Sequence, residues 1–290
     1  MPWLSAALAG ASFALMGLGY KWAAERPCRP AGFSVAFLLA ASALSAARAL
    51  GEAAPWADPR LWGLGLGMGA LLFAALSLLV AANRLGPASV VWTALQLSIV
   101  FPLLLGPLFL DEPFRRSDAL LLALFALMVA VLRLGSAGPG GAAPAAGRRF
   151  WALVAACFAA NGLFLCGAKM KDAWFGEAAS GALALLFYAG ALAFALAAHG
   201  RGRDGWRLRP AEWRCGASAG LASGVGMAAQ LAAMRMPSAL VFPLIQGIAL
   251  VGGVALTALV FRERITRAKA AGLVLGLAVL LLCLFRERLP

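Results

Sequence analysis

The residues best suited to binding a small solute are four amide side chains set in long apolar stretches. Gln96, Gln246 and Asn161 lie well inside three stretches, and Gln230 lies toward the end of a fourth. An amide can donate and accept hydrogen bonds without a buried charge, as a pocket for a neutral or zwitterionic solute requires. Alternatively, each amide only joins neighbouring helices, at about 0.6 kcal/mol per bond. Both interpretations stay open for the first three residues, and the second is favoured for Gln230.

Two lysines occupy matching places near the ends of their apolar stretches, 148 positions apart, at Lys21 and Lys169. The simpler interpretation is that their long stems reach the lipid headgroups. If they turn inward instead, they would attract an anionic or carboxylate-bearing substrate. Trp92, Tyr188 and Phe242 can line the same cavity, although aromatic residues in membrane helices more often pack or form an interfacial belt.

Few residues are available for covalent chemistry or for metal binding. The chain has one histidine, His199, and its aspartates and glutamates lie in the polar segments or at the ends of apolar stretches. The five cysteines show no C-x-x-C spacing, and we interpret them as small apolar side chains. An intramembrane enzyme needs an acid, a base or metal ligands at depth. We therefore expect no enzyme activity, no cofactor and no metal.

The composition indicates that lipid covers most of the surface. Of the 290 residues, 63% are hydrophobic and only 13% are charged, and the mean hydropathy is +0.87. This share of charge cannot form the polar surface of a soluble globule. The net charge of +13 comes from basic residues between apolar runs, which argues against a nucleic-acid surface. Arginine outnumbers lysine 21 to 4, as in GC-rich bacterial genomes, so we expect a multi-pass bacterial inner-membrane protein.

Ten stretches free of charged residues predict ten membrane-spanning helices, because a helix needs about 20 residues to cross a bilayer. The fifth and tenth are short and need flanking residues to span. The stretches cover residues 1–20, 30–47, 61–83, 85–110, 119–132, 150–168, 178–198, 215–234, 236–261 and 270–285. A segment rich in glycine, proline and alanine, 135–148, predicts a linker between a first repeat, 1–134, and a second, 149–290. The segment from His199 to Arg214 predicts a solvated loop.

The two halves of the chain show weak internal similarity. Gln96 and Gln246 are 150 positions apart, and Glu112 and Glu263, which end the fourth and ninth stretches, are 151 apart. With five helices per half, the second copy enters the membrane from the opposite side, which gives two inverted repeats. The predicted fold is therefore an all-α integral membrane protein with ten helices in two inverted five-helix repeats, a layout suited to alternating access.

The ends of the fourth and ninth stretches and the final helix have distinctive sequences. These segments are Leu-Phe-Leu-Asp-Glu-Pro at 108–113, Leu-Val-Phe-Arg-Glu-Arg-Ile-Thr at 259–266 and the small-residue Ala-Ala-Gly-Leu-Val-Leu-Gly at 270–276. Together with the five-plus-five layout, they resemble the drug/metabolite transporter superfamily, specifically the ten-helix EamA-type permeases. The resemblance implies a transporter, with a small molecule as substrate and the bilayer as surroundings. It also implies that both termini lie inside, whereas the loop charges favour the outside.

Three functions remain open. The first is a permease or exporter for a small polar or amphipathic metabolite, acting as a monomer or homodimer. The second is a flippase for a lipid or a lipid-linked sugar, which the same architecture can serve. The third is a membrane partner or sensor that transports nothing. Transport by alternating access is the function that this sequence favours.

Prolines and small residues indicate where the helices bend and pack. Pro102, Pro107 and Pro243 are expected to interrupt the fourth and ninth spans, and broken helices at paired positions point to a transporter's site. Glu112 and Glu263 are candidates for ion pairs with nearby arginines at the membrane surface. Glycine pairs four residues apart predict close helix packing, with dimerisation as the alternative. The pairs include 63/67, 65/69, 216/220 and 272/276.

Overall fold

The computed structural model of the chain describes residues 2–85, 88–136, 147–176, 178–200, 207–262 and 266–285. Within these ranges the chain forms eleven helices and no strand. In chain order they are α1 (Pro2–Ala24), α2 (Pro30–Ala49), α3 (Pro59–Asn83), α4 (Ala88–Leu97), α5 (Val100–Phe109), α6 (Arg116–Ser136), α7 (Arg148–Phe175), α8 (Ser180–Gly200), α9 (Pro210–Ala233), α10 (Ser238–Phe261) and α11 (Arg267–Phe285).

Six of the helices are long and apolar enough to cross a membrane. They are α1, α2, α3, α7, α8 and α10, and Ala94–Phe109 and Ala270–Phe285 are shorter apolar stretches. A membrane-spanning helix must satisfy its backbone internally, and these helices do so along their length. The prediction of an all-helical protein suited to a membrane is confirmed at this level.

Proline sets the first residue of several helices. Pro2, Pro30, Pro59 and Pro210 begin α1, α2, α3 and α9. The fixed φ of proline suits the first helical position, and its missing N–H would have no partner there. Helix α9 therefore begins five residues before the charge-free stretch that predicted it.

The expectation of a single loop from His199 to Arg214 is wrong at both ends. His199 lies in the last turn of α8 and is buried, and Arg214 lies within α9. The physical reason at the second end is Pro210, which starts a helix ahead of the apolar stretch, together with a buried ion pair that stabilises the first turn. Residues 201–206 lie outside the described residues.

The fourth predicted span, 85–110, is two helices rather than one. Helix α4 ends at Leu97 and α5 begins at Val100, so Ser98 and Ile99 interrupt the span. Pro102 has no N–H to donate to the carbonyl of Ser98, and its ring crowds that carbonyl. The break lies one turn before the proline, where this effect is expected. Pro107 lies inside α5 without breaking it.

Helix α10 does not break, in contrast to the expectation for Pro243. The helix is continuous from Ser238 to Phe261, with Pro243 near its first turns. Few carbonyls precede the proline in the helix, so little hydrogen bonding is lost. The structure thus has one broken span where the sequence predicted a pair.

The chain divides into two compact units, each built from both halves of the sequence. The first unit contains 1–73 and 167–235, and the second contains 74–166 and 236–290. The proposed linker, 135–148, falls within the second unit's range, and its residues 137–146 lie outside the described part of the chain.

Glycine allows close helix contacts in the first unit. A Cβ atom added to Gly216 of α9 would lie 2.6 Å from the Cβ of Ala36 and 2.8 Å from the carbonyl oxygen of Phe33, both in α2. A Cβ on Gly69 of α3 would lie 2.8 Å from the carbonyl oxygen of Phe187 in α8. These contacts fit the close-packing interpretation for the pairs 65/69 and 216/220. A Cβ on Gly63 or Gly67 would meet no atom within 4 Å, so that pair does not pack closely.

Helices α3, α4 and α7 share an apolar core in the second unit. Leu79 and Ala82 of α3 meet Val91 of α4 and Val154 and Cys157 of α7. The Cys157 thiol donates to the carbonyl oxygen of Ala75 over 3.4 Å. This core positions one face of α7 beside the α4–α5 segment. In the same unit, α11 packs against α6 and α10.

Candidate functional site

The break between α4 and α5 places backbone polar groups inside an apolar segment. The Ser98 N–H donates to the carbonyls of Ala94 and Leu95 over 3.1 and 3.3 Å, and Phe101 N–H donates back to Ser98 over 3.1 Å. These bonds form a tight turn in place of regular helix. Ser98 itself is fully buried. A buried break of this kind requires side chains or a ligand to satisfy its backbone.

Asn161 of α7 supplies that partner. Its Nδ2 donates to the Ser98 hydroxyl over 2.6 Å and to the Leu95 carbonyl over 3.3 Å. The Ser98 hydroxyl in turn donates to the Leu95 carbonyl over 2.6 Å. The nitrogen is assigned to this side because the neighbouring carbonyl can only accept.

Aromatic side chains flank this polar turn. The rings of Phe101 in α5 and Phe158 in α7 meet edge to face, with centroids 5.2 Å apart. A Cβ on Gly162 would collide with the Phe101 ring, so the glycine lets that ring lie directly against α7. Phe158, Asn161 and Gly162 share one face of α7, because residues three and four apart lie on the same side of a helix. We call the set Leu95, Ser98, Phe101, Phe158 and Asn161 the break site.

Of the other amide predictions, Gln96 and Gln246 fall in the same unit but contribute no hydrogen bond to the break site, and Gln230 lies in α9 of the first unit. Gln96 lies two residues before the break and is half-buried, and Gln246 is half-buried in α10. Trp92 belongs to α4, and its side chain lies outside the described part of the structure. Of the predicted residues in this unit, the structure brings Asn161 to the broken segment.

Tyr188 and Lys169 lie in the first unit, where both have protein partners. The Tyr188 hydroxyl and the Ser223 hydroxyl are 2.7 Å apart in a buried contact between α8 and α9. Lys169 is buried, and its Nζ donates to the carbonyl of Met234, which ends α9, over 2.7 Å. Lys21 is half-buried. The buried lysine thus stabilises the negative end of a helix.

Three glutamates hold the amino ends of distant helices, a role that the sequence did not predict. For Glu112 the sequence predicted only a candidate ion pair. Glu52 accepts from Gly181 N–H, at 2.7 Å to Oε2, at the start of α8. Glu112 accepts from Ser238 N–H over 2.7 Å at the start of α10. Carboxylates stabilise helix amino ends because they satisfy free N–H groups and oppose the helix dipole. Glu263 and Arg264, the proposed counterparts in an ion pair, lie outside the described residues.

Glu212 is the third of these glutamates, and it forms a buried ion pair. Its Oε1 is 2.7 Å from Arg29 Nε, and it also accepts from the Arg29 N–H that precedes α2. Glu212 is fully buried, and Gly32 leaves the space in which its carboxylate lies. Burial alone would raise the pKa of Glu212, but hydrogen bonds from Arg29 and from the Arg209 backbone lower it to about 2. A sequence signal existed: Glu212 is the third helical residue after Arg209-Pro210, where glutamate caps a helix.

Among the described residues, no group of three or more His, Cys, Asp or Glu side chains is placed to hold a metal ion. The polar chemistry at the break site therefore comes from amide, hydroxyl and backbone groups. Such groups suit recognition of a solute by hydrogen bonds.

The fold has a known counterpart, although the sequence alone finds none. The sequence matches no family model and no curated protein. A solved structure, described only as "Crystal structure of protein", is similar with a TM-score of 0.78 and 16% identity. The similarity covers 99% of this chain and 97% of that chain. At this identity the likeness shows the fold alone.

Proposed function

We propose that this protein is a membrane transporter that moves a small polar or amphipathic solute by alternating access, in the inner membrane of a bacterium. The observation that carries the proposal is the break between α4 and α5 at Ser98, joined by Asn161. Transporters bind their substrates at interrupted helices, where backbone groups are released from the helix ladder. We place this chain with the EamA-type permeases of the drug/metabolite transporter superfamily.

The break site suits a neutral or zwitterionic solute. The last carbonyls of α4 and the first N–H groups of α5 carry opposite partial charges, and both lie within an apolar segment. Asn161 and Ser98 add hydrogen-bonding groups, and Phe101 and Phe158 add flat apolar surface. A solute with polar and apolar parts can contact the helix ends, the polar side chains and the aromatic rings. Gln96 and Gln246 are the residues proposed to extend this set.

A pair of backbone conformations supports the inverted repeat. Asp111 follows α5 with φ of 53°, and Arg262 follows α10 with φ of 52°. Both are in the left-handed region, which few residues other than glycine adopt. They are 151 positions apart, the spacing that separates Glu112 from Glu263 in the sequence. Two helices that end alike at matched positions favour descent of the two halves from one repeat.

The test is transport by the purified full-length protein in liposomes. Labelled zwitterionic amino acids and small carboxylic acids are the probes for solute movement, and a fluorescent phospholipid is the probe for flipping. We expect at least one solute to cross with the wild type and to cross at least about tenfold more slowly with Asn161→Leu. Asn83→Leu is the matched control, since Asn83 is the other asparagine of the chain and lies at the end of α3.

The outcomes separate the rival functions. Movement of the phospholipid alone would make the protein a flippase and refute solute transport. Equal solute transport by wild type and Asn161→Leu would refute the break site as the binding site. No movement of any probe, with protein shown to be folded by its unfolding transition, would favour a membrane protein that transports none of these classes.

A further inference from the structure

A polar cavity lies within the first unit, separate from the break site. Its volume is about 180 Å³, and its charged lining residues come from helices α2 and α7 and from the segments that follow α2 and α9. Arg48 comes from the end of α2, Lys171 from the end of α7, and Arg235 from the segment after α9. Glu52 and Asp172 also line it, with Ser180 at the start of α8. The cavity is therefore at the helix ends of this unit, where lipid headgroups or solvent meet a membrane protein.

Its charges favour an anion. Three cationic side chains face two carboxylates, so the lining carries a net positive charge. The Glu52 carboxylate is already used, because it accepts from the N–H groups of Gly181 and Ala182 at the start of α8. The helix dipole offsets part of its negative charge. The cations consequently exceed the negative charge available within the lining.

Lys171 is the central group. It is fully buried, and its Nζ donates to the carbonyl of Gly176 over 2.6 Å. An ammonium group has three hydrogens, so this bond leaves two donors. Arg48 and Arg235 are exposed, so a ligand that enters the cavity from solvent meets both side chains. A buried lysine and two exposed arginines that line one cavity can surround a group that has several acceptor oxygens.

We propose that this cavity binds a phosphate group, carried either by an anionic lipid headgroup or by a free solute. Phosphate matches the lining because arginine binds two of its oxygens at once and lysine supplies a point charge. Basic pockets between membrane helices bind anionic lipid headgroups by the same chemistry. One water needs about 10–15 Å³ of cavity space measured with a water-sized sphere, so a cavity of about 180 Å³ has room for a phosphate group. This inference does not depend on transport at the break site.

The experiment measures binding by the full-length protein in a neutral detergent. The thermal unfolding midpoint is followed with inorganic phosphate, with short-chain phosphatidylglycerol and with short-chain phosphatidylcholine as the zwitterionic control. We expect phosphate or phosphatidylglycerol to raise the midpoint in a saturable way, since a ligand of the folded state stabilises it. Arg48→Gln and Arg235→Gln should each weaken that binding about tenfold or more. Arg60→Gln, which removes the same charge from an exposed residue of α3, should leave it unchanged.

The ligand that raises the unfolding midpoint identifies the source of the phosphate group. A response to phosphatidylglycerol alone identifies a lipid headgroup, and a response to inorganic phosphate identifies a free solute. The proposal is overturned if neither ligand shifts the midpoint, or if Arg60→Gln weakens binding as much as the cavity variants. In either case the cations only neutralise the carboxyl ends of α2, α7 and α9. Because no step uses transport, this result is independent of the liposome assay.

Discussion

The side-chain amide of Asn161 donates to the hydroxyl of Ser98 over 2.6 Å, linking α7 to the broken segment 63 positions earlier. The Ser98 hydroxyl in turn donates to the carbonyl of Leu95, which lies in the last turn of α4. The three groups form a short chain of hydrogen bonds that replaces the missing helix bonds. The break is thus held by a distant side chain as well as by its own proline.

The Asn161–Ser98 contact should be measurable as a coupling energy. In a double-mutant cycle with Asn161→Leu and Ser98→Ala, we expect a coupling of about 0.6–1.7 kcal/mol in the free energy of unfolding, the range for such bonds in membranes. The measurement is reversible unfolding in mixed micelles. A second cycle pairs Asn161→Leu with Thr257→Val, because the Thr257 hydroxyl bonds within α10, to the carbonyl of Val254. In this second cycle the effects of the two substitutions on the free energy of unfolding should add within about 0.5 kcal/mol. Equal coupling energies in the two cycles would contradict a direct contact between Asn161 and Ser98.

Pro102 should determine whether the segment is broken. In Pro102→Ala the new N–H can donate to the carbonyl of Ser98, so α4 and α5 can join as one helix. We expect the distance between spin labels placed at positions 95 and 105 to approach the helical value of about 15 Å, and solute transport to fall. Pro107→Ala is the control, because Pro107 already lies inside an unbroken helix. A label distance that changes equally in both variants would show that Pro102 does not set the break.

The sequence predicts the helices better than their interruptions. Apolar length predicts α1, α2 and α3 within a few residues, because the bilayer sets one dimension for all of them. The sequence also predicts a special role for Pro102 and for Asn161. It does not predict that Asn161 bonds to Ser98, at the break that precedes Pro102. A proline can kink, break or spare a helix according to the partners that its neighbours find. Pro243 shows the limit, since the same residue type leaves α10 continuous.

The Arg29–Glu212 pair should be among the more stabilising polar contacts of the first unit. Glu212 is fully buried and Arg29 is 15% exposed. Glu212→Gln removes the negative charge and leaves the guanidinium without a counter-charge, which typically costs about 3–5 kcal/mol in a buried pair. We expect the lower end of that range, measured as free energy of unfolding. Glu25→Gln removes an exposed carboxylate at the end of α1 and should have little effect.

The same pair predicts the sign of a pH effect on stability. The pKa of Glu212 is about 2 in the folded protein and ordinarily 4.5, so the unfolded chain takes up the proton first as the pH falls. The stabilisation is complete above pH 4.5 and is lost as the pH falls toward 2. In Glu212→Gln the free energy of unfolding should depend less steeply on pH in this window. An identical slope in both proteins would show that Glu212 does not have a lowered pKa.

Carboxylates that act across the chain could not be assigned from sequence position alone. Glu52 and Glu112 stand in polar segments between apolar stretches, where solvated helix ends are the usual expectation. Their partners, Gly181 and Ser238, are backbone N–H groups more than a hundred positions away. Backbone donors leave no mark in the sequence, because every residue except proline has one. The tertiary fold is what brings each carboxylate to its helix.

Gly216 of α9 and Gly63 of α3 should differ sharply in their tolerance of a methyl group. In Gly216→Ala the new Cβ would lie 2.6 Å from the Cβ of Ala36, so α2 and α9 must move apart. Such overpacking typically costs about 1–3 kcal/mol in free energy of unfolding. In Gly63→Ala the Cβ meets no atom within 4 Å, and the helix gains up to about 1 kcal/mol because alanine favours helix over glycine. Both variants are measured by unfolding in the same micelles, and equal destabilisation would contradict the close approach of α9 to α2.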